Sequence, residues 1–178
     1  MNSSSRMPRN DTEIDELDQG ARKKFAKVLA KRLIRDAGVT AAPVSLERII
    51  GYLQRERNLT VVKEKMPEKI SGLMVKVKSL GEESVFIGVN EDEPWCRRRF
   101  SLGHELGHLL LEHTGCSGNP NDGSYGEREA QVFSGELLIP SAFIKPDLEK
   151  TPNIPALAKL YRVSQQALSI KLKECRLL

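Results

Sequence analysis

Apolar residues recur at helical spacing in the first half of the chain. Between residues 21 and 37 they alternate with seven Lys and Arg side chains and end before Gly38. The apolar positions are Phe25, Val28, Leu29, Leu33 and Ile34. The pattern predicts a basic amphipathic helix with a solvated basic face; the alternative is a surface for nucleic acid or an acidic partner. Residues 1–20 are polar, and we expect a disordered tail there.

The next segment changes from helical to strand-like patterning. Ser45 is placed to cap a second helix that ends near Arg57, and the β-branched run at residues 59–63 predicts a strand. Two alternating stretches separated by a polar turn then predict a hairpin. Its core-facing positions are expected to be Leu73, Val75, Val77, Val85, Ile87 and Val89. One strand of this sheet is expected to hold an extended substrate, but the sequence does not distinguish which.

Two further helices follow the hairpin. In the first, Leu102, Leu106, Leu109 and Leu110 form one buried arc. Gly103 and Gly107 form a separate strip, which predicts close approach of a neighbouring element, because glycine weakens a helix by about 1 kcal/mol relative to alanine. The second helix begins at Glu127, and its buried arc contains Ala130, Phe133, Leu137 and Leu138.

The chain closes with a proline-punctuated connection over residues 140–155 and two short helices. Ser164 is placed to cap the last helix, so the pair resembles a helix-turn-helix. Its exposed face, Gln165, Gln166, Ser169 and Lys173, has the chemistry to read base edges. With so little charge on these helices, we expect no sequence-specific DNA binding.

Composition places the chain among globular proteins. It has 178 residues, 39% of them hydrophobic and 29% charged, with a net charge of +4. No apolar run is long enough for a membrane span, and the first residues lack a secretory signal, so we expect a cytoplasmic protein. Cys96, Cys116 and Cys175 are widely spaced, which predicts free thiols.

The candidate chemistry lies on the first helix of the second half, which contains His-Glu-x-x-His. His104 and His108 are one helical turn apart, so both imidazoles reach one Zn²⁺. Glu105 is turned about 100° from His104 and would act as general base on the attacking water. These three residues predict a hydrolytic zinc site. The alternative is a chance occurrence of the motif in a leucine-rich helix.

Catalytic zinc requires a third protein ligand, and Glu127 is the best candidate. It falls on the buried arc of its helix, where a carboxylate is costly unless it is paired or binds a metal. Glu129 falls outside that arc. The alternative is an acidic first turn favoured by the helix dipole, which suits both Glu127 and Glu129 and leaves Glu136 free for solvent. Tyr125 is a candidate donor to the oxyanion of the tetrahedral intermediate. His113 would point away from the metal if its helix continued, and is expected to be a surface or capping residue.

The order of these motifs resembles the ImmA/IrrE family of bacterial zinc metallopeptidases. The resemblance is carried by Arg98-Arg99-Phe100-Ser101-Leu102 before the histidines, Glu127-x-x-Ala130-x-x-Phe133 and Leu137-Leu138-Ile139-Pro140. It covers about residues 43 to 177 and implies Glu127 as the third zinc ligand. It also implies an intracellular protease that cleaves a helix-turn-helix repressor in a stress or mobile-element response.

Together these patterns predict one α+β domain over residues 21–178, with helices around a small, mainly antiparallel sheet. The architecture is expected to be zincin-like, with the metal on the His-Glu-x-x-His helix. The expected function is that of a zinc endopeptidase whose partner is a protein substrate, a repressor by resemblance. The alternative function is a non-catalytic metal-binding regulator that acts by protein binding in a repressor or toxin-antitoxin switch.

Overall fold

The α+β fold is confirmed by the computed structural model, which describes residues 11–113 and 125–178. Those residues form seven helices and three strands in one sheet. In chain order they are α1 (Asp11–Asp36), α2 (Leu46–Leu53), β1 (Asn58–Glu64), β2 (Gly72–Ser79), β3 (Glu82–Asn90), α3 (Trp95–Leu110), α4 (Tyr125–Leu138), α5 (Ser141–Lys150), α6 (Ile154–Tyr161) and α7 (Gln165–Glu174).

Helix α1 differs from its prediction in length and in the first part of its buried face, whereas Leu33 and Ile34 are buried as predicted. It begins at Asp11, so residues 11–20 are helical where a tail was expected; residues 1–10 lie outside the described part of the chain. Phe25 and Val28 are 58% and 61% exposed, whereas Ala26 and Ala30 are fully buried. The small alanine side chains let α1 pack against α4. The buried face of α1 therefore begins with two small alanines and continues with the predicted Leu33 and Ile34.

The sheet has the strand order β1-β3-β2 and is mixed rather than mainly antiparallel. The predicted hairpin forms, with β2 and β3 antiparallel and Met74 opposite Ile87. β1 lies parallel to β3, with Leu59 opposite Val85. A parallel neighbour requires a crossover connection, and the β2 strand with its flanking segments provides it.

One strand of the hairpin presents the face opposite to the predicted one. Val85, Ile87 and Val89 of β3 are buried, as predicted. The apolar residues of β2, however, are exposed: Leu73, Val75 and Val77 are between 43% and 45% accessible. Val75 pairs with Phe86, whose side chain lies on the outer face. Because cross-strand partners share a face, the whole apolar set of β2 lies outside, and Met74 packs against the core instead.

Helices α3 and α4 pack closely through the glycine strip, as predicted. A Cβ built on Gly107 would lie 3.0 Å from the Ala130 Cα, and one on Gly103 would lie 2.6 Å from the Ser134 Oγ. Leu102, Leu106 and Leu109 are buried on the other side of α3. The two helices are therefore held at a separation that larger residues would prevent.

The expected connection after Pro140 is mostly helix α5, and its start explains a second correction. Glu136, which the alternative interpretation of the acidic residues left free for solvent, is 1% exposed. Its carboxylate accepts hydrogen bonds from the Ser141 N–H and Oγ at 3.0 and 2.6 Å, so it caps α5. It also accepts from the Lys171 Nζ of α7 at 2.6 Å. Glu136 thus links three helices by contacts that are distant in sequence.

The closing helical pair forms as predicted. Asn153 caps α6 and Ser164 caps α7, each by accepting a hydrogen bond from the backbone N–H three residues later. Cys96 and Cys175 are free thiols, and Cys116 lies outside the described residues. Among the helices of residues 11–113 and 125–178, none has the length and apolar character needed to cross a membrane.

Candidate metal centre

Three buried side chains from α3 and α4 converge at one point. His104 and His108 lie one turn apart on α3, and their Nε2 atoms are 3.0 Å apart. Glu127, in the first turn of α4, places Oε2 2.9 Å from the His104 Nε2 and Oε1 3.2 Å from the His108 Nε2. The structure therefore brings together the three residues that the sequence predicted as metal ligands.

The spacing of these atoms fits a tetrahedral metal ion. Zinc bonds of about 2.0–2.1 Å at tetrahedral angles place neighbouring ligand atoms about 3.3 Å apart. The observed separations of 2.9, 3.0 and 3.2 Å are shorter by a few tenths of an ångström. Two imidazoles and one carboxylate form a ligand set of catalytic zinc sites, which leave a fourth position open. The residues present therefore fit the ion.

The electrostatics of the cluster favour metal binding at neutral pH. Burial, with a smaller contribution from His113, lowers the pKa of His104 to about 4. Burial and the neighbouring His104 likewise lower the pKa of His108 to about 4. Both imidazoles are therefore neutral well below pH 7, and a neutral imidazole has a lone pair available for a metal.

Glu105 lies beside the three ligands with the properties of a general base. It is buried, and burial together with the charge of Glu127 raises its pKa to about 7. A base whose pKa lies near the working pH both accepts and returns a proton efficiently. Burial and the raised pKa are properties that a general base needs, and the catalytic role of Glu105 stays a prediction.

The first residue of β2 brings the sheet against this base. A Cβ on Gly72 would lie 3.2 Å from both the Cγ and the Oε1 of Glu105. Asn90, which is buried, fixes the preceding loop: its side-chain amide donates to the carbonyls of Met66 and Ile70 at 3.2 and 3.0 Å. Because Asn90 is a short polar residue at a strand end, the sequence alone did not indicate this positioning role.

Two residues next to the ligands are buried where the sequence placed them outside, although the His113 N–H does cap α3, one of the two roles predicted for that residue. His113 is not a surface residue: its side chain is 7% exposed, and its Nδ1 lies 2.9 Å from the His108 Nδ1. Glu129, placed outside the buried arc, is 4% exposed and lies 2.9 Å from the His113 Nε2. The position of His113 gives one signal: it lies three residues after Leu110, the end of α3, close enough for the chain to fold back onto His108.

The remaining candidates lie outside the ligand cluster. Tyr125 opens α4 and is 52% exposed, and its oxyanion role stays a prediction. Two arginines in the first turns of α3 bind backbone carbonyls of this chain rather than the metal centre. Arg98 donates to the backbone carbonyl of Glu91 at 2.6 Å, and Arg99 donates to that of Val44 at 2.9 Å.

Comparison with known proteins adds a family and a fold. A family model described as the IrrE N-terminal-like domain, Peptidase_M78, matches residues 54–173. A search of curated proteins finds no significant match. Among solved structures, a "Mycobacterium tuberculosis transcriptional regulator" is similar with a TM-score of 0.62 and 15% identity, over 93% of this chain. The chain spans 52% of the length of that structure, and the likeness shows the fold.

Proposed function

Because this chain belongs to the family of IrrE N-terminal-like peptidase domains, we propose that it is a zinc-dependent endopeptidase acting on a specific protein. The observation that carries the proposal is the convergence of His104, His108 and Glu127 beside Glu105. A leucine-rich helix with a chance motif has no reason to meet a third ligand from another helix. The buried, neutral imidazoles and the adjacent base together match the needs of peptide hydrolysis.

In this mechanism His104, His108 and Glu127 hold the ion, and the bound ion supplies a Lewis acid for the scissile carbonyl. Glu105 removes a proton from the attacking water and later delivers it to the leaving amine. Its pKa of about 7 makes both transfers favourable near neutral pH. Because Gly72 has no side chain, β2 approaches α3 closely at this point. The backbone of β2 therefore limits the space around the Glu105 carboxylate.

For the substrate we assign the free edge of β2 as the docking strand. In the order β1-β3-β2 this strand has a partner on one side only within the described sheet. It begins at Gly72, against Glu105, and it contacts α3. An extended peptide hydrogen-bonded to this edge would therefore run past the catalytic base. Within the described residues, β1, the other edge strand, packs less closely on α3 than β2 does.

By resemblance to the family, the substrate is a helix-turn-helix repressor, and the site of action is the cytoplasm. We propose no sequence-specific DNA binding by this chain. The alternative is a regulator that retains the metal and acts by binding. It is favoured by one observation, that the similar solved structure is described as a transcriptional regulator. The intact base at Glu105 favours the peptidase.

The test uses Glu105→Gln, which preserves side-chain size but removes basicity. Zinc content and partner capture should match the wild type, while cleavage of the captured protein falls by about 10²–10⁴-fold, the usual contribution of a positioned acid or base. His104→Ala, which removes a ligand, serves as the comparison and should lose the metal. An equally active Glu105→Gln protein contradicts the mechanism. A wild type that captures its partner without cutting it supports the regulator instead.

A further inference from the structure

A series of hydrogen-bonded polar side chains connects the metal centre to helix α1. The His108 Nδ1 lies 2.9 Å from the Nδ1 of His113, and the Nε2 of His113 lies 2.9 Å from the Glu129 Oε2. The guanidinium of Arg22 then donates to both carboxylate oxygens of Glu129, with Nη2 3.2 Å from Oε2. This series of side chains therefore connects three helices. Its middle members, His113 and Glu129, have side chains that are 7% and 5% exposed.

The backbone after α3 makes the first of these contacts. Glu112 adopts a left-handed conformation, with φ of 58°, and ends the helix. The chain then reverses, and the His113 N–H donates to the His108 carbonyl at 3.1 Å. This closure resembles the hydrogen bonding of a Schellman cap, formed here without glycine. This backbone reversal places the His113 ring against the Nδ1 atom of His108.

The ligand position of His108 sets which group donates and which accepts in this series of side chains. The His108 Nε2 faces Glu127 and His104, so it is the nitrogen that would bind the ion. With an ion on Nε2, the proton of His108 would lie on Nδ1 and be donated to the His113 Nδ1. His113 would then carry its own proton on Nε2 and donate it to Glu129. Every donor in this arrangement has an acceptor, and the charge of Glu129 is balanced by Arg22.

The other histidine ligand lacks such support. The His104 Nδ1 is buried and has no hydrogen-bond partner within residues 11–113 and 125–178. Metal-binding histidines usually donate their second N–H to a carboxylate or carbonyl, which fixes the tautomer and the ring orientation. In this protein that support is given to one of the two imidazoles and reaches the carboxylate through a second histidine.

We propose that His113 and Glu129 are positioning residues that hold the His108 ring in the tautomer and orientation needed to bind metal, and that Arg22 anchors Glu129. The inference rests on the proposed metal role of His108. It assigns a function to two residues that touch neither the ion nor the substrate. It also makes α1, a helix remote in sequence, part of the support of the metal centre.

The first test measures zinc affinity by chelator competition. His113→Ala and Glu129→Gln should bind zinc about 10–100-fold more weakly, the usual cost of losing such support. The loss of zinc affinity in Glu129→Gln should be at the lower end of this range, because the amide oxygen of glutamine still accepts a hydrogen bond from His113. The matched control is Glu136→Gln, the same substitution at another buried glutamate of α4, and its zinc affinity should equal that of the wild type.

A second test separates positioning from simple structural support. In the zinc-loaded protein, the NMR signal of the His108 Nδ1 proton should exchange slowly in the wild type and rapidly in His113→Ala. The His104 ring serves as an internal reference and should not change. Unchanged affinity and exchange in His113→Ala would overturn the proposal while leaving the peptidase function intact. A wild type that binds no zinc would overturn both.

Discussion

The two halves of α4 bury glutamates for different purposes. In the first half, Glu127 meets two neutral imidazoles that approach it from α3. In the second half, Glu136 meets Lys171, a cation supplied by the protein, and two hydrogen-bond donors of Ser141. A buried carboxylate needs compensation for its lost hydration. The comparison teaches that the chemistry of the partners, rather than burial alone, separates a ligand from a structural anchor.

The largest expected difference between the two halves appears on removing each carboxylate. Glu136→Ala leaves the buried Lys171 ammonium with the more distant carboxylate of Glu174, at 3.6 Å, which should destabilise the protein by about 2–4 kcal/mol. Glu127→Ala should abolish zinc binding and cost the zinc-free protein much less. Urea unfolding with chelator present, and zinc analysis of the folded protein, measure the two effects. If Glu127→Ala kept full zinc while Glu129→Ala lost it, the ligand assignment would be wrong.

A smaller difference in stability is expected from two glycines, one that packs against the first half of α4 and one that lies in its second half. Gly107 of α3 faces the backbone of Ala130, so Gly107→Ala should destabilise the protein by about 1–2 kcal/mol, since overpacking outweighs the gain in helix propensity. At Gly135, an added Cβ would meet no atom of the described residues within 4 Å outside its own stretch of helix. Gly135→Ala should instead stabilise by about 0.4–1 kcal/mol. Thermal unfolding of both variants measures this, and equal effects would refute the asymmetry.

The smallest effect concerns acid pH. Burial alone would raise the pKa of Glu136, but hydrogen bonding and charge from Lys171, with Ser141, lower it below the ordinary 4.5. A lowered pKa in the folded state means that the unfolded state binds the proton more readily. The ion pair therefore stabilises above about pH 4.5 and loses that stabilisation as the pH falls through the folded pKa.

The measurement compares the free energy of unfolding of zinc-free wild type and Glu136→Gln at a series of pH values. The advantage of the wild type should be constant near neutrality and shrink below pH 4.5. Because both proteins keep His104 and His108, the titration of those residues cancels in the difference. A difference that grows on acidification would show that the pKa of Glu136 is raised instead.

Local geometry explains what the sequence revealed about the site. His104 and His108 share a face because a helix repeats every 3.6 residues, and Glu127 was found because its own helix placed it on a buried arc. These inferences need no knowledge of distant contacts. The α+β class followed for the same reason, from periodicity within each element.

The errors have a common cause in contacts between remote segments. Glu129 and Glu136 are stabilised by Arg22 and Lys171, which are 107 and 35 residues away from them. His113 was misplaced because a non-glycine residue, Glu112, ends α3 in a left-handed conformation. The face of β2 was reversed because alternation specifies two faces without indicating which one the helices cover.

The packing of α1 has a practical consequence for recombinant work. A fragment cut at the limits of the family match, residues 54–173, would lack both α1 and α2. It would expose the surface of α4 that Ala26 and Ala30 now cover, and it would remove the guanidinium that holds Glu129. Expression boundaries for this domain are therefore best placed before Arg22.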